Sequence, residues 1–206
     1  QMRHLHQSNV VLNVLDRVAD LPNVVALKLM ATLNPVMVCE CFQRLGDRLR
    51  VNCVDLRMMP LLVDAYGVQW SGAWTIEALQ SPEKPYVVRY LQLLRDGKYD
   101  EATALYWHIK PAYDALMALM APMLPQGVHP GVQQKYYQWC VGGNGGLPRL
   151  PSNTLEQQFP ITPEERENIK AAFRAIGIEP QGPEESFVVG RAAYERGVRM
   201  KDMTKT

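Results

Sequence analysis

The sequence predicts an α/β fold over residues 1–80, a helical region over 81–178 and a tail over 179–206. Three observations lead there. Helical and extended signals alternate as α-β-α-β-α-β with short connections, which implies parallel strands joined by crossover helices, in a barrel or a doubly wound sheet. From Ser81 onward the apolar residues recur at helical spacing. The chain has 206 residues, 47% hydrophobic and 21% charged, enough for a sizeable core and unlike a disordered chain.

Each element has its own signal. Val10, Val11, Val14, Leu15 and Val18 share one helical face, and Leu21-Pro22-Asn23 stops that helix. Val24 to Met30 is an apolar run with one lysine inside it. Its β-branched residues and flanking breaker predict a buried, parallel strand. Asn34-Pro35 reads as an N-cap followed by proline at the first helical position, with Val38, Cys41, Phe42 and Leu45 as the buried stripe and Gly46 at the end. A second strand is predicted over Leu49–Val54, a helix from Met58 to Ala65 broken by Gly67, and a third strand over Val68–Ser71.

In the second half, Ser81-Pro82 opens a helix that runs to Gly97. A long helix from Glu101 to Met120 is apolar nearly all round and is predicted to be buried. His129-Pro130 introduces a helix through Tyr136, Tyr137 and Trp139, followed by the glycine-rich turn 142–146. Thr162-Pro163-Glu164-Glu165 is a capping box with proline at the first helical position. Residues from Gln181 read as a weakly packed tail with one more helix, Phe187 to Gly197.

Composition excludes several classes. A formal net charge of +1 gives no general drive toward nucleic acid or anionic lipid. No apolar run is long enough for a membrane-spanning helix, and the first residues do not resemble a secretory signal. The four cysteines, Cys39, Cys41, Cys53 and Cys140, are too few for a disulfide scaffold and lack the C-x-x-C spacing. They read as free thiols of a cytoplasmic protein. His4 and His6 read as a solvated terminal pair rather than metal ligands. No G-x-G-x-x-G or Walker pattern follows a strand, which disfavours a doubly wound nucleotide-binding fold.

Lys28 is the residue with chemistry to offer. A lysine inside a buried apolar strand must be paired, neutral, or open to a cavity. Desolvation makes the amine nucleophilic, as a Schiff base with a carbonyl substrate requires. The alternative is a lysine at a strand end that reaches solvent or an acid.

The segment Leu21-Pro22-Asn23-Val24-Val25-Ala26-Leu27-Lys28 resembles the Schiff-base strand of the dihydrodipicolinate synthase and N-acetylneuraminate lyase superfamily. Further features follow in that family's order: Asn52-Cys53-Val54-Asp55 at the seventh strand, Gly67-Val68-Gln69-Trp70-Ser71 at the eighth, and Tyr90 to Ala102 at the first C-terminal helices. Lys135 and then Gly145 to Pro151 resemble its late segment. The resemblance covers roughly residues 8 to 178. It implies the C-terminal portion of a (β/α)8 TIM barrel, about strands 6–8, followed by a C-terminal helical domain. It implies a lyase of the aldolase or dehydratase type, acting on pyruvate or another 2-keto acid. Lys28 would form the imine, and Cys53, Trp70 and Ser71 would line the substrate pocket at the strand ends. Asp55 reads as a structural hydrogen-bonding acid.

Leu29, Met30 and Ala31 stand where the family has an acid and small polar residues, and Asn52 and Cys53 stand where it has small residues including glycine. These departures imply a more apolar or differently shaped pocket and a different keto acid. The family's proton-shuttling tyrosine and carboxylate-binding threonine pair would precede Gln1, so these 206 residues alone are expected to be inactive. The resemblance further implies no metal or organic cofactor and a homo-oligomer, tetramer or dimer. It implies neither a nucleic-acid nor a membrane partner. A second reading is a non-catalytic helical interaction or regulatory module on a barrel scaffold. It rests on the helical second half and on Tyr136, Tyr137 and Trp139 as an exposed aromatic cluster.

Overall fold

The computed structural model describes residues 11–29, 34–123, 130–147 and 160–203. His4, His6, Met30, Ala31, His129 and Arg149–Pro151 lie outside them. The described chain is a mixed α/β structure, mostly helical, with one two-stranded parallel sheet. It divides into two compact units. The first takes the residues up to Ile76 together with Val88–Thr103, and the second takes Glu77–Val87 with those from Ala104 onward.

The first unit begins with α1 (Leu12–Ala19), then β1 (Ala26–Leu29), α2 (Pro35–Leu45) and β2 (Arg50–Cys53). The cap of α2 is the one its sequence predicts: Asn34 Oδ1 accepts from the backbone N–H of Val36 at 3.0 Å, and Pro35 occupies the first turn. Val38, Cys41, Phe42 and Leu45 form its buried stripe. The strands pair parallel, with Leu27 opposite Val51, Lys28 opposite Asn52 and Leu29 opposite Cys53. The crossover through α2 is the βαβ unit that parallel pairing requires.

The burial predicted for the first strand is not found. Only Leu29 of β1 is buried, and Val25 just before it is 70% exposed. The physical reason is that β1 meets a neighbouring strand on one edge only among the described residues, whereas an interior parallel strand is flanked on both. The helix α1 is in the same condition: it has no buried residue, and Val14 is 51% exposed.

After β2, Asp55 caps a short 3-10 turn at Leu56–Met58, and α3 (Met59–Tyr66) follows. It ends at Gly67, whose φ of 59° is left-handed, a conformation glycine adopts without a Cβ penalty. The predicted third strand, Val68–Ser71, is not a strand. The segment lies beside β2 through two side-chain bonds: Asn52 Nδ2 donates to the Trp70 carbonyl at 3.0 Å, and Trp70 Nε1 donates to the Arg50 carbonyl at 3.2 Å. Side chains occupy the place of a backbone ladder, so extended chemistry yields no strand pairing. The same unit is closed by Tyr90, whose hydroxyl donates to the Leu56 carbonyl at 3.1 Å, and by Tyr99, which donates to Asp64 at 2.8 Å.

Helix α4 spans Trp74–Glu77. Helix α5 (Tyr86–Arg95) starts later than Ser81-Pro82 suggests. Ser81 and Lys84 close a turn on each other instead, and Pro85 keeps Lys84 out of helical geometry. Helix α6 (Tyr99–Met120) is not buried all round: in the second unit Ile109, Ala112, Tyr113, Leu116 and Met120 are buried, while Trp107 is 61% exposed. Its apolar residues outnumber those its core stripe can use.

The remaining helices of the second unit are α7 (Gly131–Cys140), α8 (Pro163–Ala175), α9 (Glu184–Val189) and α10 (Arg191–Glu195). The capping box of α8 forms in full between Thr162 and Glu165. The chain after Gln181 is not weakly packed. Phe187 is fully buried with its ring edge-on to Tyr136 at 4.8 Å, and Trp139 Nε1 donates to Ser186 Oγ at 3.0 Å. Arg191 fastens the following helix by donating to the carbonyls of Trp139 and Gly143. Gly145 sits under this arm, where a Cβ would meet Phe187 and Trp139 at 3.1–3.2 Å. No helix among the described residues is long and apolar enough to cross a membrane.

Candidate functional site

Lys28 is the third residue of β1 and stands opposite Asn52. Residues paired across parallel strands project to the same face, about 4.8 Å apart at the backbone, so the Lys28 and Asn52 side chains leave the sheet together. Lys28 is exposed and makes no ion pair among the described residues. The desolvated lysine expected from an apolar strand is therefore not present there. Among the described residues β1 has one unpaired edge, and the lysine is left to solvent.

Asn52 is the reverse case: a polar residue with 0% exposure. Its Nδ2 is committed to the Trp70 carbonyl, which fixes the orientation of the carboxamide, because only the nitrogen can donate. Its Oδ1 is buried and has no hydrogen-bond partner. The Ser71 hydroxyl, one residue beyond that carbonyl, is also buried and unpartnered. A buried polar atom without a partner costs about 1–3 kcal/mol, so two of them, one on β2 and one on the segment beside it, call for a reason.

The sequence-predicted residues divide accordingly. Lys28 is brought to the face of Asn52, and Asn52 is tied to the Trp70 carbonyl, with Ser71 the next residue of the chain. Cys53 is 1% exposed and pairs with Leu29, so alternation sends its side chain to the face opposite Lys28. Only its backbone can border a site there. Burial pushes the Cys53 thiol up from its ordinary pKa, opposed in part by hydrogen bonds from the Asp55 and Val54 backbone. Asp55 is the structural acid expected, accepting from the Arg57 N–H at 2.9 Å and pairing with its guanidinium at 2.7 Å. Asn52 is the residue the site analysis of the sequence missed. The available signal was an amide in the middle of an apolar strand, where a polar side chain needs a partner.

A concavity, about 640 Å³ and open, lies away from Lys28, in the second unit among Glu77, Gln134, Lys135, Gln138 and Asn144. The carboxamide of Asn144 is occupied there, its Oδ1 accepting from the Ala192 N–H at 2.9 Å. The groove holds one carboxylate and one ammonium but no hydroxyl or thiol nucleophile among the described lining residues. Among the described residues, no group of three or more His, Cys, Asp or Glu side chains is placed to hold a metal ion.

No protein-family model, curated protein or solved structure matches this chain.

Proposed function

We propose that the chain belongs to a Schiff-base-forming lyase, of aldolase or dehydratase type, that acts on pyruvate or another 2-keto acid through Lys28. The observation that carries the reading is the register of Lys28 with Asn52: among the described residues, an amine without an ion pair stands opposite a buried amide whose oxygen has no hydrogen-bond partner. The Lys28 Nζ lone pair adds to the C2 carbonyl of the keto acid, and loss of water from the carbinolamine leaves a protonated imine. That imine withdraws the electron pair released at C3 when a bond to C4 breaks or a proton leaves. Before attack the amine must be neutral, so the reading requires that the exposed Lys28 be shielded from solvent in the reacting protein.

The finer fold in this proposal is the C-terminal part of a (β/α)8 barrel. Three features support it: parallel β1 and β2 joined by α2, the edge of β1 that is unpaired among the described residues, and the half-buried apolar face of α1, with Val14 exposed, ahead of that edge. A helix preceding a parallel strand suits a crossover from a further strand on that free edge. Cytoplasmic location and a homo-oligomeric assembly belong to the same proposal. The competing reading, an interaction module presenting Tyr136, Tyr137 and Trp139, loses its surface, since all three are 0% exposed within the second unit.

Borohydride reduction of the native, full-length protein with pyruvate tests the reading. A single stable adduct at Lys28, absent from Lys28→Ala, is expected by peptide mass mapping. No adduct, or one that survives Lys28→Ala, would overturn it.

A further inference from the structure

We propose that the groove along α7 binds a short extended peptide with free termini, its carboxylate held by Lys135 and its ammonium by Glu77. The site lies within the second unit and does not depend on the reading of Lys28.

The groove has the dimensions of such a ligand. Its volume, about 640 Å³, lies in the range of small-ligand sites. Gly131, Gln134, Lys135, Gln138 and Val141 line it at helical spacing along α7 and its C-cap. That run is about 15 Å long, the reach of about four extended residues. Gln134 and Gln138 stand one turn apart, about 6 Å, close to the two-residue repeat of an extended chain, about 6.8 Å. Two carboxamides at that interval match successive backbone groups of a peptide laid along the helix, since each offers a donor and an acceptor. The glycine-rich turn that completes the lining is held from behind. The Asn144 carbonyl accepts from the Arg191 N–H at 2.6 Å, and the Gly146 N–H donates to the Phe187 carbonyl at 2.7 Å.

The polar side chains of the groove are unspent. Among the described residues, those of Glu77, Gln134, Lys135 and Gln138 make no hydrogen bond or ion pair. Lys135 is half-buried, and a partly desolvated ammonium without a counter-ion gains from an anion. A purely anionic ligand would also face Glu77, and a purely cationic one would face Lys135. A neutral ligand would leave Lys135 unpaired. A ligand with both charges meets each group with its opposite. Because the carboxamides read backbone, the two charges are assigned to the ends of that backbone.

Ligand-observed NMR titration of the native, full-length protein with tetra-alanine tests the assignment. The companion probes are tetra-alanine amidated at its C-terminus, tetra-alanine acetylated at its N-terminus, and free alanine. Tetra-alanine should bind most tightly and each blocked form about fivefold more weakly, the scale of one partly exposed charge pair. Lys135→Gln should weaken tetra-alanine by the same factor and leave the amidated form unchanged, because both changes delete one contact. Glu77→Gln should stand in the same relation to the acetylated form. Neither side chain holds another part of the described structure, so both variants should keep the native Tm, and the blocked peptides probe the same contacts on unaltered protein. Equal affinity of free and blocked peptides, or equal weakening of both by Lys135→Gln, would overturn the assignment of the termini. Alanine binding as tightly as tetra-alanine would overturn the peptide in favour of a single amino acid. No saturable binding of any probe would overturn the site.

Discussion

The carboxamide nitrogen of Asn52 donates to the carbonyl of Trp70 at 3.0 Å, and the Trp70 indole donates back to the Arg50 carbonyl at 3.2 Å. Two reciprocal side-chain bonds thus hold the segment after α3 against β2. They explain how a stretch with strand-like composition comes to rest beside a strand without joining its ladder. They also leave the Asn52 oxygen as the free end of the carboxamide.

Replacing Trp70 by Phe keeps a six-membered aromatic ring and deletes the pyrrole part of the indole with its N–H. The bond to Arg50 is partly exposed, so water can replace part of it, and the loss should be about 0.5–1.5 kcal/mol. Urea unfolding followed by far-UV circular dichroism should show a lower midpoint with an unchanged slope. An unchanged midpoint would mean that the Asn52 bond alone holds the segment.

Glu184, the first residue of α9, gathers donors from two other helices. Tyr136 of α7 donates to it at 2.8 Å, Arg166 of α8 approaches at 3.3 Å, and Lys170 of α8 pairs with it as well. The Tyr136 hydroxyl belongs to a residue with 0% exposure, so losing its acceptor is costly, whereas the partly exposed ion pairs contribute little. Glu184→Ala should therefore cost about 1–3 kcal/mol, and Glu184→Gln, which keeps an acceptor, distinctly less. In the Tyr136→Phe background the Glu184→Ala loss should shrink, because the orphaned hydroxyl is gone. Equal losses in both backgrounds would place the energy in the ion pairs instead.

Legibility followed how local each determinant is. The caps at Asn34 and Thr162 and the break at Gly67 were readable because a few adjacent residues satisfy their own backbone groups. The order of β1 and β2 about α2 was readable for the same reason: apolar period and breakers lie within each element. Burial was less readable, since it depends on partners distant in sequence. Val24–Met30 and the long α6 have the composition of core, yet β1 has an open edge and α6 uses one stripe. Conversely, Tyr136 and Trp139 of α7 pack on Phe187, 48 or more residues away, a relation that no window of sequence contains. The unpartnered Asn52 oxygen is of the same kind, since it follows from Nδ2 being held by the Trp70 carbonyl, 18 residues away in the chain.

Asp16 gives the clearest dependence on pH. It lies on α1, which buries no residue of its own, and it pairs with Arg44 and, at 2.7 Å, with Arg48 of the following helix and turn. Burial alone would raise its pKa, but hydrogen bonds from Arg48 and Arg44, reinforced by their charges, hold it below the ordinary 3.8. A carboxyl lowered in the folded state stabilises that state fully above its unfolded value, and the contribution disappears as pH falls through the folded one. Asp16→Asn should therefore melt below the native protein at pH 7, with the gap closing below about pH 4. High salt should narrow the gap at pH 7, because these side chains are solvent-accessible. Amide exchange should localise the change to α1, which carries Asp16. A gap that stayed constant from pH 7 to pH 3 would mean that the shape of the side chain, not its charge, holds the helix.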